Sequence, residues 1–168
     1  MGNGFPITAV LGKKKVMEHA QDTFISSTFW TERTGYAAAL KVIEMFDKHN
    51  VSAHLVKTGE YLKNKLEDLF KRKNFKADVV GITPVPIIAI NEENPMIVKT
   101  FFTQEMLKRG YLASNLTYLS YSHDKEIIDD FVMAAGEVIQ QAVKGIREHR
   151  LKEVLEGPVC HSGFKRLT

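Results

Sequence analysis

The sequence predicts an α/β chain. Two patterns carry that reading: short β-branched runs bounded by glycine and proline, and longer stretches whose apolar residues recur every three or four positions. In order they give strand, helix, strand, two long helices, and then a ββαββα series.

The first run, FPITAVL from Phe5 to Leu11, is β-branched and ended by Gly12, which predicts a strand. Lys13 to Ala20 makes a short helix. Thr23 to Trp30 has β-branched and aromatic residues without a helical period and reads as extended. From Thr34 to Lys48 the helix signal is strong. Ala39, Val42, Ile43 and Phe46 share one face, and three consecutive alanines favour the helix until Asn50 ends it. Ser52 is a predicted N-cap for the next helix, whose stripe is Leu55, Leu62, Leu66 and Leu69 and which runs to about Lys73.

The character then changes. ADVVGITPVPIIAIN, Ala77 to Asn91, predicts two strands joined by a proline-containing bend, at least one of them near an edge. Pro95 opens a helix at the position proline prefers. It runs through Arg109, buries Val98, Phe101, Phe102 and Met106, and stops at Gly110. Tyr111 to Ala113 and Leu116 to Tyr121 read as short strands around a Ser114-Asn115 turn. Asp124 caps the last helix, whose stripe is Ile127, Ile128, Phe131, Ala135, Val138, Ala142 and Ile146. Leu151 to Thr168 is an irregular tail. The first fifty residues thus hold two strands without neighbours, and lone strands make no stable sheet. They either pair with another chain or lack their neighbours.

With 168 residues, 44% hydrophobic and 26% charged, the chain is long enough for one domain with a core and reads as soluble and globular. No apolar run reaches the roughly 20 residues that span a bilayer. In MGNGFPITAVLGKKK the apolar stretch precedes the positive charges, the wrong order for a secretory signal, and MGNGFP lacks the hydroxyl residue of a myristoylation site. The single cysteine, Cys160, excludes an internal disulfide and predicts a reducing compartment, the cytoplasm. Net charge is +3, with acids scattered almost as densely as bases. The triplets Lys13-Lys14-Lys15 and Lys71-Arg72-Lys73 border predicted helices and read as solvated helix ends, so no nucleic-acid partner is expected.

Chemical motifs are sparse. The six histidines form no HExxH, and Cys160-His161 is an isolated pair in the tail, so no metal is predicted. No GxSxG occurs, which argues against a hydrolase. Gly2-Asn3-Gly4 reads as a turn. Ser26-Ser27-Thr28 is, taken alone, an ordinary strand-to-loop segment. Hydroxyls are also good phosphate ligands, so that reading gains weight only beside a cofactor site.

GNGFPITAVLGKKKVME followed by TFISSTFWTERTGYAAAL, and later NEENP, FFTQEMLKRGYLA and LTYLSYSHDKEIIDDF, resemble the class III pyridoxal-phosphate-dependent aminotransferases. The likeness is greatest to the glutamate-1-semialdehyde aminomutase-like branch. It covers nearly the whole chain, and no single motif carries it. It implies the type I PLP-dependent transferase fold of the aspartate aminotransferase superfamily, truncated. Residues 1–50 would be a remnant of the large cofactor-binding domain, 51–156 an α+β C-terminal small domain, and 157–168 an irregular tail.

The resemblance implies pyridoxal 5'-phosphate as cofactor. Thr28 falls where the family's threonine contacts the cofactor phosphate from the partner subunit, and Ser27 beside it would add a hydroxyl or a backbone N–H. Asn115 falls in the turn that faces the substrate. The aminomutases tend to carry an acid there, so asparagine leaves the substrate open among small amino, keto or aldehyde compounds. A homodimer with shared active sites is implied, with no nucleic acid and no membrane. The Schiff-base lysine is expected upstream of Met1, with the aspartate and the aromatic that hold the cofactor ring. Lys13, Lys14 and Lys15 do not match its place, so no catalytic residue is expected within this chain and the chain alone is expected to be inactive. The rival readings are a non-enzymatic, self-associating fragment and one half of a split enzyme.

Overall fold

Apolar stripes become helices, and one of the β-branched stretches becomes a hairpin. The computed structural model describes residues 1–25, 28, 29 and 32–163. The elements are α1 (Lys14–Met17), a 3-10 turn (Glu18–Asp22), α2 (Arg33–Lys48), α3 (Val51–Lys73), β1 (Ala77–Ile82), β2 (Val85–Ile90), α4 (Pro95–Lys108) and α5 (Lys125–Arg147). They form two compact units, Met1–Ser52 and Ala53–Thr168.

In the first unit α2 follows its predicted stripe only in part. Ala39 is buried, whereas Ile43 and Phe46 are exposed together with Tyr36 and Leu40. Asn50, at φ 46° in the left-handed region, follows the end of α2, the role predicted for it. Phe5 to Leu11 is not a strand. Its backbone has no ladder partner among the described residues, and Val10 and Leu11 are exposed. A β-branched run cannot hold a strand without a neighbour to accept and donate its hydrogen bonds. The same holds for Thr23 to Ile25. Ser26, Ser27, Trp30 and Thr31 lie outside the described residues. Gly2 to Phe5 closes as a turn, the Phe5 N–H donating to the Gly2 carbonyl at 3.2 Å.

The second unit holds one core. Leu62, Leu66, Leu69 and Phe70 of α3, Val98, Phe101, Phe102 and Met106 of α4, and Ile128, Val132, Ala135, Val138, Ile139 and Ala142 of α5 are buried together. Ser52, the predicted cap, lies inside α3, which begins at Val51. Ile127 departs from the predicted stripe and is exposed, its neighbour Ile128 taking the core position. Asp124 does cap α5, accepting the Ile127 N–H at 3.0 Å.

β1 and β2 pair antiparallel from Ala77↔Ile90 to Ile82↔Val85, around a tight turn at Thr83-Pro84. The cross-strand pair Val79 and Ile88 points into the core. The expected strands between Tyr111 and Tyr121 form only an isolated bridge, Ile87↔Leu116. The backbone there still runs along the free edge of β2. The Ile88 N–H donates to the Asn115 carbonyl at 2.7 Å, the Thr117 N–H to Pro86 at 3.0 Å and the Leu119 N–H to Pro84 at 3.2 Å. Pro86 in β2 and Pro84 in the turn before it have no N–H to donate, so the third run pairs through alternate carbonyls and falls short of a full ladder.

The tail is irregular yet anchored. Gln104 on α4 accepts the Glu156 N–H at 2.8 Å and donates to the Val154 carbonyl at 3.1 Å. Leu151 is buried in the core.

Gly59 marks the tightest approach. A Cβ there would collide with the carbonyl of Thr83 in the hairpin turn. Gly59→Ala is therefore expected to destabilise the second unit by about 1–3 kcal/mol. Leu66→Ala is expected to cost about 2–5 kcal/mol, because Leu66 is fully buried among three helices. Urea unfolding followed by circular dichroism checks both; a change within error for either would contradict the packing described.

Candidate functional site

The first unit carries the predicted phosphate contact. Thr28 is exposed and lies in a turn with Phe29, upstream of α2. Ser27, its expected companion, lies outside the described residues. A helix start offers free backbone N–H groups to an anion, but in α2 those of Thr34 and Gly35 are already engaged. The Glu32 carboxylate accepts from the Thr34 N–H at 2.9 Å, the Thr34 hydroxyl at 2.6 Å and the Gly35 N–H at 3.1 Å. The Thr34 hydroxyl bond, followed by the backbone donors of Thr34, Gly35 and Arg33, holds the Glu32 carboxyl below its ordinary value of 4.5. An anion beside this helix thus meets a resident carboxylate at the helix start. Among the described residues ahead of α2, the hydroxyl of Thr28 is an exposed neutral donor.

Glu32 was not singled out in the sequence. Serine, threonine, aspartate and asparagine are the residues that announce an N-cap, and glutamate is seldom read as one. The readable signal was Thr34-Gly35 immediately inside the helix, two donors that a long carboxylate can reach.

Beside the turn, the same unit forms a groove of about 790 Å³ lined by Pro6, Ile7, Thr23, Phe29, Glu32 and Tyr36, among others. Thr23 is fixed by its own hydroxyl, which donates to the Ala20 carbonyl at 2.9 Å. Lys13, Lys14 and Lys15 are exposed.

In the second unit Asn115 is half-buried. Its Nδ2 donates to the Ile88 carbonyl at 3.4 Å, its Oδ1 accepts from the Ser114 hydroxyl at 3.3 Å, and its own carbonyl accepts the Ile88 N–H. Cys160 donates its backbone N–H to the Thr100 hydroxyl at 2.9 Å, so the cysteine pins the tail to α4. Among the described residues no group of histidine, cysteine, aspartate and glutamate could hold a metal ion. A groove of about 850 Å³ between the last turns of α3 and α5 is lined by Arg72, Lys73, Lys144 and Arg147 together with Glu137 and Glu148. Its cations sit where they offset the negative helix ends, and Lys73 donates to Gln140 at 2.6 Å. No helix among the described residues is long and apolar enough to cross a membrane.

The fold is that of the pyridoxal-phosphate-dependent transaminases, the type I fold. The FumI protein of Sphingopyxis sp. MTA144, solved in its PLP internal aldimine form, superposes with a TM-score of 0.77 over 92% of this chain and 38% of its own, at 22% identity. The family model for aminotransferase class-III matches residues 1–127, and the chain belongs to that family. Among curated relatives, the 2'-deamino-2'-hydroxyneamine transaminase of Streptomyces kanamyceticus is 23% identical over 143 residues, 82% of this chain and 36% of that protein. The glutamate-1-semialdehyde 2,1-aminomutase of Haloarcula marismortui is 33% identical over 84 residues, 48% of this chain and 19% of that protein. The chain therefore spans about a third of the length of curated relatives such as the Streptomyces kanamyceticus transaminase.

The lowered carboxyl of Glu32 has a pH consequence. Its capping contribution is fully present above the ordinary value of 4.5 and is lost as pH falls through the lowered folded value. Below about pH 4.5 the helical signal of the chain is expected to lose thermal stability partly through this group, and Glu32→Gln should flatten that part of the acid limb. Melting curves by circular dichroism across pH 2.5–6 check it; an acid slope unchanged by the substitution would contradict the cap.

Proposed function

We propose that this chain provides a cofactor-phosphate contact and the C-terminal small domain of an enzyme that moves an amino group with pyridoxal 5'-phosphate. The observation that carries the reading is Thr28, a hydroxyl exposed in a turn ahead of α2 in a class III chain. Ser27 belongs to the same proposed contact. A phosphate dianion gains strong, charge-assisted hydrogen bonds from neutral hydroxyl donors, and a threonine has one staggered donor to aim. With Glu32 holding the helix start, the hydroxyl sets the direction from which a phosphate is bound.

Pyridoxal phosphate, when bound, supplies an electron sink for charge that develops at the substrate carbon. Thr28 would anchor the cofactor at its phosphate end and restrict how the ring turns. Asn115 is proposed to face the substrate from the small domain. Its bonds to Ile88 and Ser114 hold the turn's backbone beside β2, which gives that turn a fixed surface. Residues 1–50 are proposed as part of the large domain, 51–156 as the small domain and 157–168 as its tail. The active enzyme is proposed as a cytoplasmic homodimer in which Thr28 reaches the partner's cofactor, acting on a small amino, keto or aldehyde substrate.

None of the described lysines of this chain is proposed as the Schiff-base residue. That role needs a neutral, sheltered amine. Lys13, Lys14 and Lys15 are exposed. Lys65 and Lys108 are held above the ordinary value, Lys65 by Asp129 first and Lys108 by Glu105 first, which keeps them protonated.

Mixed with pyridoxal phosphate, the 168-residue chain is expected to show no stoichiometric imine band, and borohydride treatment to leave no single lysine modified. A one-to-one adduct on one of its lysines, mapped by mass spectrometry, would overturn that part of the reading. In the protein as the cell produces it, Thr28→Ala is expected to weaken cofactor binding about tenfold or more while leaving affinity for pyridoxal, which lacks the phosphate, nearly unchanged. Equal losses for both ligands would refute a phosphate contact.

A further inference from the structure

We propose that Glu32 is a positioning residue for the cofactor phosphate: its carboxylate cap on α2 fixes the turn that presents Thr28. The inference rests on the phosphate role proposed for Thr28.

Among the described residues, no sheet holds the segment that carries Thr28. Neither Phe5 to Leu11 nor Thr23 to Ile25 pairs in a ladder among the described residues. Among the described residues, Glu32 ties the turn to α2. Through its backbone N–H it donates to the carbonyl of Phe29, the neighbour of Thr28, at 3.2 Å. Through its carboxylate it grips the first turn of α2 at three points, the Thr34 N–H, the Thr34 hydroxyl and the Gly35 N–H. Both carboxylate oxygens are used, so the side chain is held in one arrangement.

The first turn of α2 is itself packed closely against the Pro6-Ile7 backbone. A Cβ on Gly35 would stand 2.6 Å from the Pro6 carbonyl oxygen and 3.3 Å from the Ile7 Cβ. Contacts therefore run without a break from Pro6 through Gly35 and Glu32 to Phe29, next to Thr28. The cap also fills the helix start with a carboxylate, so a phosphate gains little from the α2 amides and depends on where the hydroxyl lies. Hydrogen bonds are steep in distance and angle, and a turn that drifts loses the contact.

The test measures, in the protein as the cell produces it, affinity for pyridoxal phosphate relative to affinity for pyridoxal. Glu32→Ala is expected to lower that ratio about tenfold. Glu32→Gln keeps one acceptor oxygen for the Thr34 donors, loses the one that accepts from Gly35, and is expected to retain part of it. Ala37→Gly, on the exposed side of α2, weakens the helix without touching the turn and should leave the ratio unchanged. Thr28→Ala separates this inference from the one beneath it. If Thr28→Ala lowers the ratio and Glu32→Ala does not, the positioning role falls and the phosphate contact stands. If Thr28→Ala leaves the ratio intact, both fall. An equal loss in Ala37→Gly would reduce Glu32 to general helix stability and overturn the proposal, and so would a Glu32→Gln variant as impaired as Glu32→Ala.

Discussion

A strand exists only where something pairs with it, and that constraint divides this chain. In the second unit the requirement is met. β2 gives one edge to β1 and the other to the run through Asn115, Thr117 and Leu119, while Val79 and Ile88 bury the inner face. Three helices then close over that face with side chains that leave almost no exposed surface on Leu62, Leu66 and Met106. In the first unit the requirement is not met among the described residues, and the β-branched residues of Phe5 to Leu11 stay outside any ladder. The apolar residues left exposed on α2, Tyr36, Leu40, Ile43 and Phe46, follow the same logic: a stripe is a promise of burial that needs a second surface.

Helices were legible in the sequence because their information is local. The stripes of α3, α4 and α5, the Pro95 start and the Asp124 cap can each be read within a few turns, and apart from Ile127 the structure places them close to where the periodicity does. The hairpin was legible for a similar reason, since Pro84 sits in its turn. Strands whose partners are distant were not. Tyr111 to Tyr121 has strand composition but meets β2 at Pro84 and Pro86, where donors are missing, so its pairing is a set of alternate bonds. Ser52 looked like a cap because serine is a good one, yet the helix begins at Val51 straight after a left-handed Asn50.

The site divides in the same way. The family likeness needed long-range order of many weak matches, and it pointed to Thr28 and Asn115 without any local motif to support them. The turn around Thr28 is held by Glu32, which composition could not mark, because a glutamate at a helix start is ordinarily counted as a first-turn acid favoured by the dipole. Its particular function appears only when three donors are seen converging on one carboxylate.

That convergence changes what kind of anion site this helix can offer. A helix start with open N–H groups attracts phosphate by charge and tolerates some play in position, because several donors share the load. Here the resident carboxylate has taken those donors and adds a negative charge of its own, lowered in pKa and so ionised at neutral pH. Binding of a phosphate then turns from a matter of field to one of geometry. A hydroxyl must stand at the right place and far enough from Glu32 to keep the two anions apart. In the proposed reading, such an arrangement would select for a phosphate that is tethered to a larger ligand and delivered from one direction, and would disfavour free phosphate drifting onto the helix. The same carboxylate that makes the helix start a poor general anion site is thus what gives Thr28 a defined position beside it.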